Sequence, residues 1–409
     1  MRHHQGRLIA ALSVQFRDID LAEDVLQDAL AAALVNWSKK GVPHHPKAWL
    51  YQTAKRKAID RYRRRVTRHE KSGVLAYQTH LETAVDDDHI NGEIDAKHNV
   101  PDERLGLIFA CCHPALPTLA HTALTLKTVC GLSSGQIASA YLVPETTMTQ
   151  RIVRAKNKIK KAGIPFEIPC ADLWPQRWAS VLSVIYLIFN AGYSALPSAD
   201  GEQEGVVDLC AEALRLGYLL VDLLPEETEA SGLLALMLLN RARQPARLAN
   251  PDIYISLQDQ DRKLWKQDEI IRGQKLLLQT LSKGRPGFYQ VQAAISAVHC
   301  EAASFAETDW QEITALYERL YAYEPTPVVM LNASVALSFA ESPAAGLASL
   351  ELVGESKQMQ NYQPYYAARA DMLRRDGQLA LAKAAYQQAY DLSGSRQEKR
   401  YLAELMTAL

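Results

Sequence analysis

Apolar residues recur at intervals of three and four along most of the chain, a spacing that is typical of amphipathic α-helices. Three such segments come first, at residues 7–17, 21–36 and 46–65. Pro46 suits the first turn of the third helix, because a proline there removes no hydrogen bond within the helix. Alternation with a period of two, which would indicate half-buried strands, is scarce. The pattern therefore predicts an all-α protein.

Residues 66–100 break this pattern. They contain few large apolar residues, three consecutive aspartates at Asp86, Asp87 and Asp88, and a turn-forming Asn91-Gly92 pair. Such a composition cannot bury enough apolar surface to form a core, and it predicts a flexible acidic linker. An acidic helix with frayed ends is the alternative.

Helices resume at Pro101, and two of them form a recognisable pair at residues 132–161. Ser133 has the chemistry of an N-cap for a short helix at residues 134–141, and Pro144 suits the start of a longer one that ends before Gly163. A short helix, a tight turn and a longer basic helix are typical of the helix-turn-helix motif. Its inner face would comprise Ile137, Ala138, Ile152 and Ala155. An ordinary helical hairpin is the alternative.

The chain continues through a connector at residues 164–175 into helical hairpins at residues 176–409. Near the end, small, turn-forming and aromatic residues fall at the spacing of a tetratricopeptide repeat: Ala370, Gly377, Ala382, Tyr386 and Ala389. Small residues let paired helices approach, and the aromatic ring fills the gap to the next hairpin. We expect a repeat-type extension, with an irregular helical bundle as the alternative.

Charge divides the chain in two. Residues 1–163 carry a net charge of +8, and residues 164–409 carry −9. The segment 47–71 alone has ten basic residues against two acidic ones, interleaved with Trp49, Tyr51 and Tyr62. Cations that neutralise phosphates beside aromatics that stack on bases are what single-stranded or melting DNA requires. The first part of the chain is therefore predicted to bind nucleic acid, with a solvated basic face as the alternative.

These patterns single out candidate DNA-binding residues on two helices. On the 46–65 helix they are Lys47, Lys55, Arg56, Arg61, Arg63 and Arg64. On the 144–161 helix, hydroxyl, amide and guanidinium groups near the N-terminal end could reach base edges: Thr146, Thr147, Thr149, Gln150 and Arg151. Further along the same helix, five cations could hold phosphates: Arg154, Lys156, Lys158, Lys160 and Lys161.

Enzyme chemistry is not indicated. Residues 131–135 match a nucleophile-elbow pattern, but a helix rather than a strand precedes them. Cys111, Cys112, His113 and Cys130 suggest a zinc site, yet adjacent cysteines suit tetrahedral coordination poorly, so buried thiols are favoured. With no phosphate-binding glycine pattern either, the sequence predicts no cofactor, no metal and no catalytic residue.

The sequence also predicts a cytoplasmic protein without a membrane partner. Its six cysteines are scattered rather than arranged as a disulfide framework, and no apolar signal segment opens the chain. The longest apolar stretch, near residues 181–189, is short of the roughly 20 residues that span a bilayer.

Three segments together resemble a known family, the extracytoplasmic-function RNA polymerase sigma factors. Residues 24–30 look like the helix that docks on the clamp of the polymerase, which implies polymerase contacts by Asp24, Gln27, Asp28 and Leu30. Residues 46–64 resemble the segment that melts and holds the minus-ten element, and the loop 38–45 corresponds to one that captures a flipped base. Residues 132–161 resemble the helix-turn-helix that reads the minus-thirty-five element.

The remainder resembles a subgroup with a tetratricopeptide-like C-terminal extension, on the motifs at residues 109–116, 189–193 and 259–265. The resemblance implies a region 2 module at 1–65, a linker at 66–100, a region 4 module at 101–163 and a regulatory extension at 176–409. It implies core RNA polymerase and promoter DNA, both duplex and melted, as partners, and a regulatory protein or ligand for the extension. Within the 259–265 motif, Asp259, Asp261 and Arg262 suggest either a buried ionic network with a structural role, which is favoured, or a regulatory contact.

A conventional helix-turn-helix regulator with a repeat-type sensor domain is the alternative function. Such a regulator would bind duplex DNA as a dimer without the polymerase. It would need neither the motif at residues 24–30 nor the arginine-rich helix.

Overall fold

The all-α prediction is confirmed by a computed structural model, in which every regular element of the described residues is a helix. Those residues are 2–69, 103–141, 143–166, 169–170, 172–194, 208–250, 254–354, 356–357 and 359–409. No helix among them is both long and apolar enough to cross a membrane. The chain divides into two compact units, Met1–Val184 and Ile185–Leu409.

The first unit holds the helices that carry the candidate sites. In chain order they are α1 (Arg2–Phe16), α2 (Ile19–Lys40), α3 (Pro46–His69), α4 (Glu103–Cys111), α5 (Thr118–Thr128), α6 (Ser134–Ala140) and α7 (Glu145–Ala162). Helix α8 (Trp174–Ser194) begins in the first unit and ends in the second.

Local chemistry explains where α2 begins and ends. The carboxylate of Asp18 accepts a hydrogen bond from the Leu21 amide at 3.1 Å, and Gly41 stops the helix with a φ of 79°. The helix therefore runs through Lys40, so the predicted loop at residues 38–45 is shortened to residues 41–45. The sequence interpretation underestimated α2 because serine and lysine tolerate a last helical turn until a glycine ends it.

Helix α3 is also longer than predicted. It reaches His69, so residues 66–69 are helical rather than part of the linker. Arginine has a high helix propensity, and the run of arginines extends the helix beyond its apolar pattern. The rest of the predicted acidic linker, from residue 70 to residue 100, lies outside the described residues.

The predicted helix-turn-helix is present as α6 and α7. Ser133 Oγ accepts a hydrogen bond from the Gln136 amide at 3.1 Å, and Gln136 Oε1 accepts one from the Ser133 amide at 3.0 Å, which together form a capping box. The predicted inner face is buried, with no member more than 4% exposed: Ile137, Ala138, Ile152 and Ala155. Gly163, with a φ of 61°, ends α7.

Buried thiols occupy the neighbouring helices, as the sequence favoured. Cys111, Cys112 and Cys130 are each at most 2% exposed. The Sγ atom of Cys111 lies 3.2 Å from the hydroxyl oxygen of Thr128. Burial raises the pKa of Cys112 to about 12, so this thiol is protonated and inert at neutral pH.

The described residues of the second unit form further helices. They are α9 (Leu209–Leu223), α10 (Thr228–Ala242), α11 (Gln244–Arg247), α12 (Gln267–Leu281), α13 (Phe288–Glu301), α14 (Trp310–Tyr323), α15 (Pro327–Ala340), α16 (Pro343–Gly354), α17 (Gln363–Arg375), α18 (Leu379–Leu392) and α19 (Arg396–Thr407). Among the described residues, short 3-10 turns lie between them at Leu257–Asp259, Arg262–Leu264 and Met359–Asn361.

The hairpin of α17 and α18 has the packing that its spacing predicted. Ala370, Ala382 and Ala389 are fully buried where the two helices meet, and the ring of Tyr386 is 2% exposed. Gly377 turns the chain between them with a φ of 81°, a conformation that glycine adopts without strain. Small residues therefore set the helix spacing in this hairpin, whereas its assignment to a named repeat class stays a prediction.

The segment 259–265 has a structural role, but it does not form the predicted ionic network. Asp259 and Asp261 are exposed, and Asp261 caps a short turn by accepting a hydrogen bond from the Lys263 amide at 2.9 Å. Arg262 forms no ion pair among the described residues. Its guanidinium instead donates to the carbonyl of His299 at 2.7 Å and lies 4.7 Å from the ring centroid of Trp265. The arginine thus fixes the end of α13, and the buried ionic network is wrong.

Candidate polymerase-binding and DNA-binding surfaces

The four residues that resemble a polymerase-docking motif lie on α2. Asp24 and Gln27 are exposed, and Asp28 and Leu30 are half-buried. The opposite side of the helix is the buried one, where Val25, Leu26 and Ala29 are each at most 1% exposed. The amphipathic pattern of α2 therefore turns Asp24 and Gln27 outward.

Both carboxylates of this set are paired with one arginine. The Arg61 guanidinium donates to Asp24 Oδ2 at 2.8 Å and to Asp28 Oδ2 at 2.7 Å. Arg61 lies on α3 and was predicted to bind DNA, yet here it ties α3 to α2. All three side chains are at least 40% exposed, so each pair contributes at most about 1 kcal/mol to stability.

Two apolar residues that the sequence interpretation missed extend the same face of α2. Leu34 is 74% exposed and Val35 is 58% exposed. They follow Gln27 and Asp28 by seven residues, which is two helical turns along one stripe. Large apolar side chains exposed next to a polar binding motif mark a contact surface. The signal in the sequence was this spacing, which was read only as part of an amphipathic helix.

Some candidate DNA-binding residues of the basic helix α3 are exposed, and others are half-buried. Arg56 and Arg63 are exposed, and Lys47 and Lys55 are half-buried. The side chains of Arg64 and Tyr62 lie outside what the structure describes.

Two aromatic residues that lie between the cations in the sequence contact other residues of the first unit. The ring of Trp49 packs edge-on against Trp37, with centroids 5.5 Å apart. The hydroxyl of Tyr51 donates to Gln15 Oε1 at 3.0 Å. The cations rather than these rings are therefore the outward-facing part of α3.

The candidate residues of α7 lie on the exposed surface of that helix. Arg151 is half-buried and the others are exposed: Thr146, Thr147, Thr149, Gln150, Arg154 and Lys158. Thr147, Gln150, Arg154 and Lys158 follow one another at intervals of three or four, which places them along one stripe of the helix. The hydroxyl and amide groups lie toward the N-terminal end, and the cations toward the C-terminal end.

Lys156 and Lys160 do not belong to that stripe, although both were predicted to hold phosphates. The side chain of Lys156 is 8% exposed, and its ammonium nitrogen lies 3.0 Å from Asp20 Oδ1 and 2.9 Å from Glu23 Oε2. Lys160 Nζ lies 2.8 Å from Asp18 Oδ2. Lys156 follows the buried Ile152 by one turn, so the helix turns it inward, toward carboxylates rather than solvent.

The pKa values agree with these pairs. Burial would lower the pKa of Lys156, but Glu23 and Asp20 raise it above its ordinary value and keep the ammonium charged. Burial would raise the pKa of Asp18, but Lys160 and the Leu21 amide hold it below its ordinary value. The carboxylate of Asp18 and the ammonium of Lys156 are therefore both charged at neutral pH.

The first part of α8 also belongs to this unit. The buried guanidinium of Arg177 donates to the carbonyl oxygen of Phe109 at 2.7 Å. The rings of Trp174 and Trp178 lie 5.2 and 6.3 Å from the ring of Phe109. The start of α8 is thus anchored on α4.

Two family models match the part of the chain that carries these surfaces. The model described as Sigma-70 region 2 matches residues 1–68, and the model described as Sigma-70, region 4 matches residues 107–159. The chain belongs to the sigma-70 family. A third model, described as a family of unknown function (DUF6596), matches residues 177–281 of this sigma-70 protein.

A curated relative extends over nearly the whole chain. It is an uncharacterized protein of Rhizobium meliloti (strain 1021), 40% identical over 396 residues, which cover 96% of this chain and 91% of the relative. No solved structure matches the chain.

Membership of the sigma-70 family indicates which partners these surfaces serve. Its partners are core RNA polymerase and promoter DNA, and its domains are those of a transcription factor rather than an enzyme. Helices α2 and α3 fall almost entirely within the region 2 match, and the exposed stripe of α7 falls within the region 4 match.

The two lysines at 156 and 158 provide a matched test of the packing in this sigma-70 protein. We expect Lys156→Met to destabilise α7 by about 2 kcal/mol, because it leaves the carboxylate of Glu23, 15% exposed, without its cation. Lys158→Met, on the exposed stripe, should change stability by less than about 0.5 kcal/mol. The opening free energy of α7 from hydrogen exchange measures both. Equal effects of the two substitutions would contradict the inward placement of Lys156.

Proposed function

We propose that this sigma-70 protein is a sigma subunit of the extracytoplasmic-function type that directs promoter-specific transcription initiation in the cytoplasm. The observation that best supports the proposal is that three candidate surfaces lie on three different helices, α2, α3 and α7. Each surface has the chemistry that one task requires. Bond-forming chemistry belongs to the polymerase, so the chain needs no catalytic residue.

Helix α7 would read the upstream promoter element. Hydroxyl and amide groups at Thr147 and Gln150 could bind base edges in the major groove, where each base pair has its own donor and acceptor pattern. Arg154 and Lys158 lie further along the same stripe and would hold the phosphates that fix the register.

Helix α3 would hold the downstream element as it opens. Arg56 and Arg63 are exposed cations on a helix of 24 residues, which is about 36 Å long. A row of cations suits the binding of a DNA strand, because the cations neutralise the phosphates along its length. We assign Lys47, Lys55 and Arg64 to the same surface, and Arg61 to positioning α3 against α2.

Helix α2 would dock on the polymerase. Its exposed face combines Asp24, Gln27 and Asp28 with Leu34 and Val35, so a polar half adjoins an apolar half. A helical partner with basic and apolar residues would match this face. A conventional helix-turn-helix regulator has no use for such a face, which is why the sigma function is favoured over that alternative.

The second unit would regulate the first. Stacked helical hairpins provide extended surfaces for binding a protein or a ligand, and the unit has no role in the tasks assigned to α2, α3 and α7. We propose that a regulatory protein or ligand acts through this extension.

Binding to core polymerase tests the docking surface. The double variant Asp24→Asn, Asp28→Asn should weaken core binding at least about tenfold, because it removes both charges and keeps the shape of the side chains. The affinity is measured by fluorescence anisotropy of the labelled chain.

The control for this experiment is Arg61→Met. It removes the same two ion pairs but leaves both carboxylates, and it should keep core binding. Equal losses in the two variants would contradict a direct contact by the carboxylates. Duplex binding by an intact chain that fails to bind the core would favour the conventional regulator.

Salt dependence tests the DNA surface of α7. In the complex of polymerase, this chain and promoter DNA, Lys158→Gln should reduce the slope of log affinity against log salt by about one, since one phosphate contact is lost. Gln150→Ala should instead weaken binding to the preferred DNA sequence by about 1–3 kcal/mol. It should also relax the base preference at one base pair. Lys275→Gln, an exposed cation of the second unit, is the control and should change neither. A uniform effect of all three substitutions would contradict the assignment.

Truncation tests the regulatory role. The chain should end at Val184, because a cut before Trp174 would also remove Arg177 and the rings that pack on Phe109. We expect run-off transcription to change by about fivefold or more, the usual size of coupling between sites. Unchanged transcription with unchanged core binding would contradict regulation by the second unit.

A further inference from the structure

We propose that the second unit binds a small phosphate-bearing molecule in a groove at the start of α19. The groove lies where α18 ends and α19 begins, and three cations line it: Arg396, Lys399 and Arg400. The proposed function assigns a regulatory ligand to this unit, but neither a place nor a chemistry for it. Binding at the groove stands on the geometry alone, and only the regulatory role of the ligand rests on the proposed function.

The groove has the size of a small-molecule site. Its volume is about 450 Å³, within the roughly 300–1,000 Å³ that ligand pockets occupy. Tyr390 at the end of α18 and the turn residues Ser393 and Gly394 line it together with the three cations. A Cβ atom added at Gly394 would meet no atom within 4 Å, so the turn leaves the groove open at this point.

Helical spacing brings the three cations together. Lys399 and Arg400 follow Arg396 by three and four residues, so the side chains share one stripe of α19. Arg396 and Arg400 are exposed, and Lys399 is half-buried. Leu402, which is 3% exposed, packs a different side of the helix into the core of the last hairpins. The stripe is therefore directed into the groove rather than into the core.

The nearby carboxylates neutralise little of this charge. Residues 393–403 contain one acid, Glu398, although they contain three cations. The Glu398 carboxylate accepts a hydrogen bond from the Ser393 hydroxyl at 2.7 Å. Arg400 pairs with Glu404 at 3.1 Å, but both side chains are more than half exposed, so this pair is weak.

The other two cations have no ion pair among the described residues. The ammonium nitrogen of Lys399 instead lies 5.3 Å from the ring centroid of Tyr390. This local excess of cations occurs in a part of the chain, residues 164–409, that carries a net charge of −9. The positive charge at the groove is thus a local feature of α19.

The cations also lie where a helix disfavours them. The N-terminus of a helix carries a partial positive charge, which attracts anions and repels cations. Arg396 is the first residue of α19, and Lys399 and Arg400 follow in the next turn. Like charges four residues apart, such as Arg396 and Arg400, repel each other as well. A local arrangement that costs stability is expected at a functional site, and a bound anion would remove both penalties.

The donors in the groove suit phosphate groups. A guanidinium binds two phosphate oxygens with paired N–H groups, and an ammonium adds a compact point charge. Two guanidinium groups and one ammonium match the several negative charges of a diphosphate better than the single charge of a carboxylate. The positive end of α19 favours the same ligand. The ring of Tyr390 offers an apolar surface to the organic part of the molecule.

Hydrogen exchange in α19 tests the site, with inorganic pyrophosphate as the probe. In the full chain at constant ionic strength, about 10 mM pyrophosphate should slow exchange of the α19 amides at least about tenfold, because it binds only the folded helix. The double variant Arg396→Gln, Lys399→Gln should lose this slowing. The double variant Lys275→Gln, Lys383→Gln removes the same charge from exposed positions outside the groove, and it should keep the slowing.

Exchange without pyrophosphate shows whether the groove variant is folded. Arg396→Gln, Lys399→Gln removes cations from the positive end of α19, so its α19 amides should exchange no faster than those of the unsubstituted chain. Faster exchange in this variant would contradict the proposal, because the cations would then stabilise the helix rather than await a ligand.

Three further results would overturn the proposal. Two are an absence of slowing in α19 of the unsubstituted chain and equal slowing in both double variants. The third is protection of α19 by a polyglutamate peptide but not by pyrophosphate, which would assign the stripe to an acidic protein. If exchange behaves as expected but the chain fails to bind core polymerase, the proposed function is refuted and the phosphate site is not.

Discussion

A buried ammonium needs a carboxylate beside it, and the first unit is arranged around that requirement. Lys156 is turned inward by the same helical periodicity that buries Ile152 and Ile159. Glu23 and Asp20 of α2 supply that negative charge. This pairing and the packing of α7 on α5 and α6 together hold α7 in place.

The acids of helix α2 form two groups, and each group pairs with a different helix. Asp18, Asp20 and Glu23 pair with α7, and Asp24 and Asp28 pair with Arg61 of α3. The polymerase is proposed to use the second pair of acids as well. The pairs with Arg61 are exposed and therefore weak, so Asp24 and Asp28 can exchange Arg61 for an external partner at a small cost in free energy.

The sequence predicted the helices well, but it predicted the partners of individual charged residues less well. The inner face of the helix-turn-helix and the small residues of α17 and α18 followed from periodicity, because apolar spacing determines which side of a helix is buried. Arg61 and Lys156 were assigned to DNA from their charge alone. A lysine at a helix edge binds phosphate or a neighbouring carboxylate equally well, and only the packing of α2 against α3 and α7 decides between them. Leu34 was missed because exposure depends on which neighbours cover a helix.

Transcription from genomic DNA by core polymerase, with and without the chain, tests the central claim most directly. Sequencing the 5′ ends of the transcripts would locate the start sites. The sigma function predicts start sites that require the chain and share an upstream and a downstream element at a fixed spacing. An absence of chain-dependent start sites, while the chain alone binds duplex DNA, would contradict it.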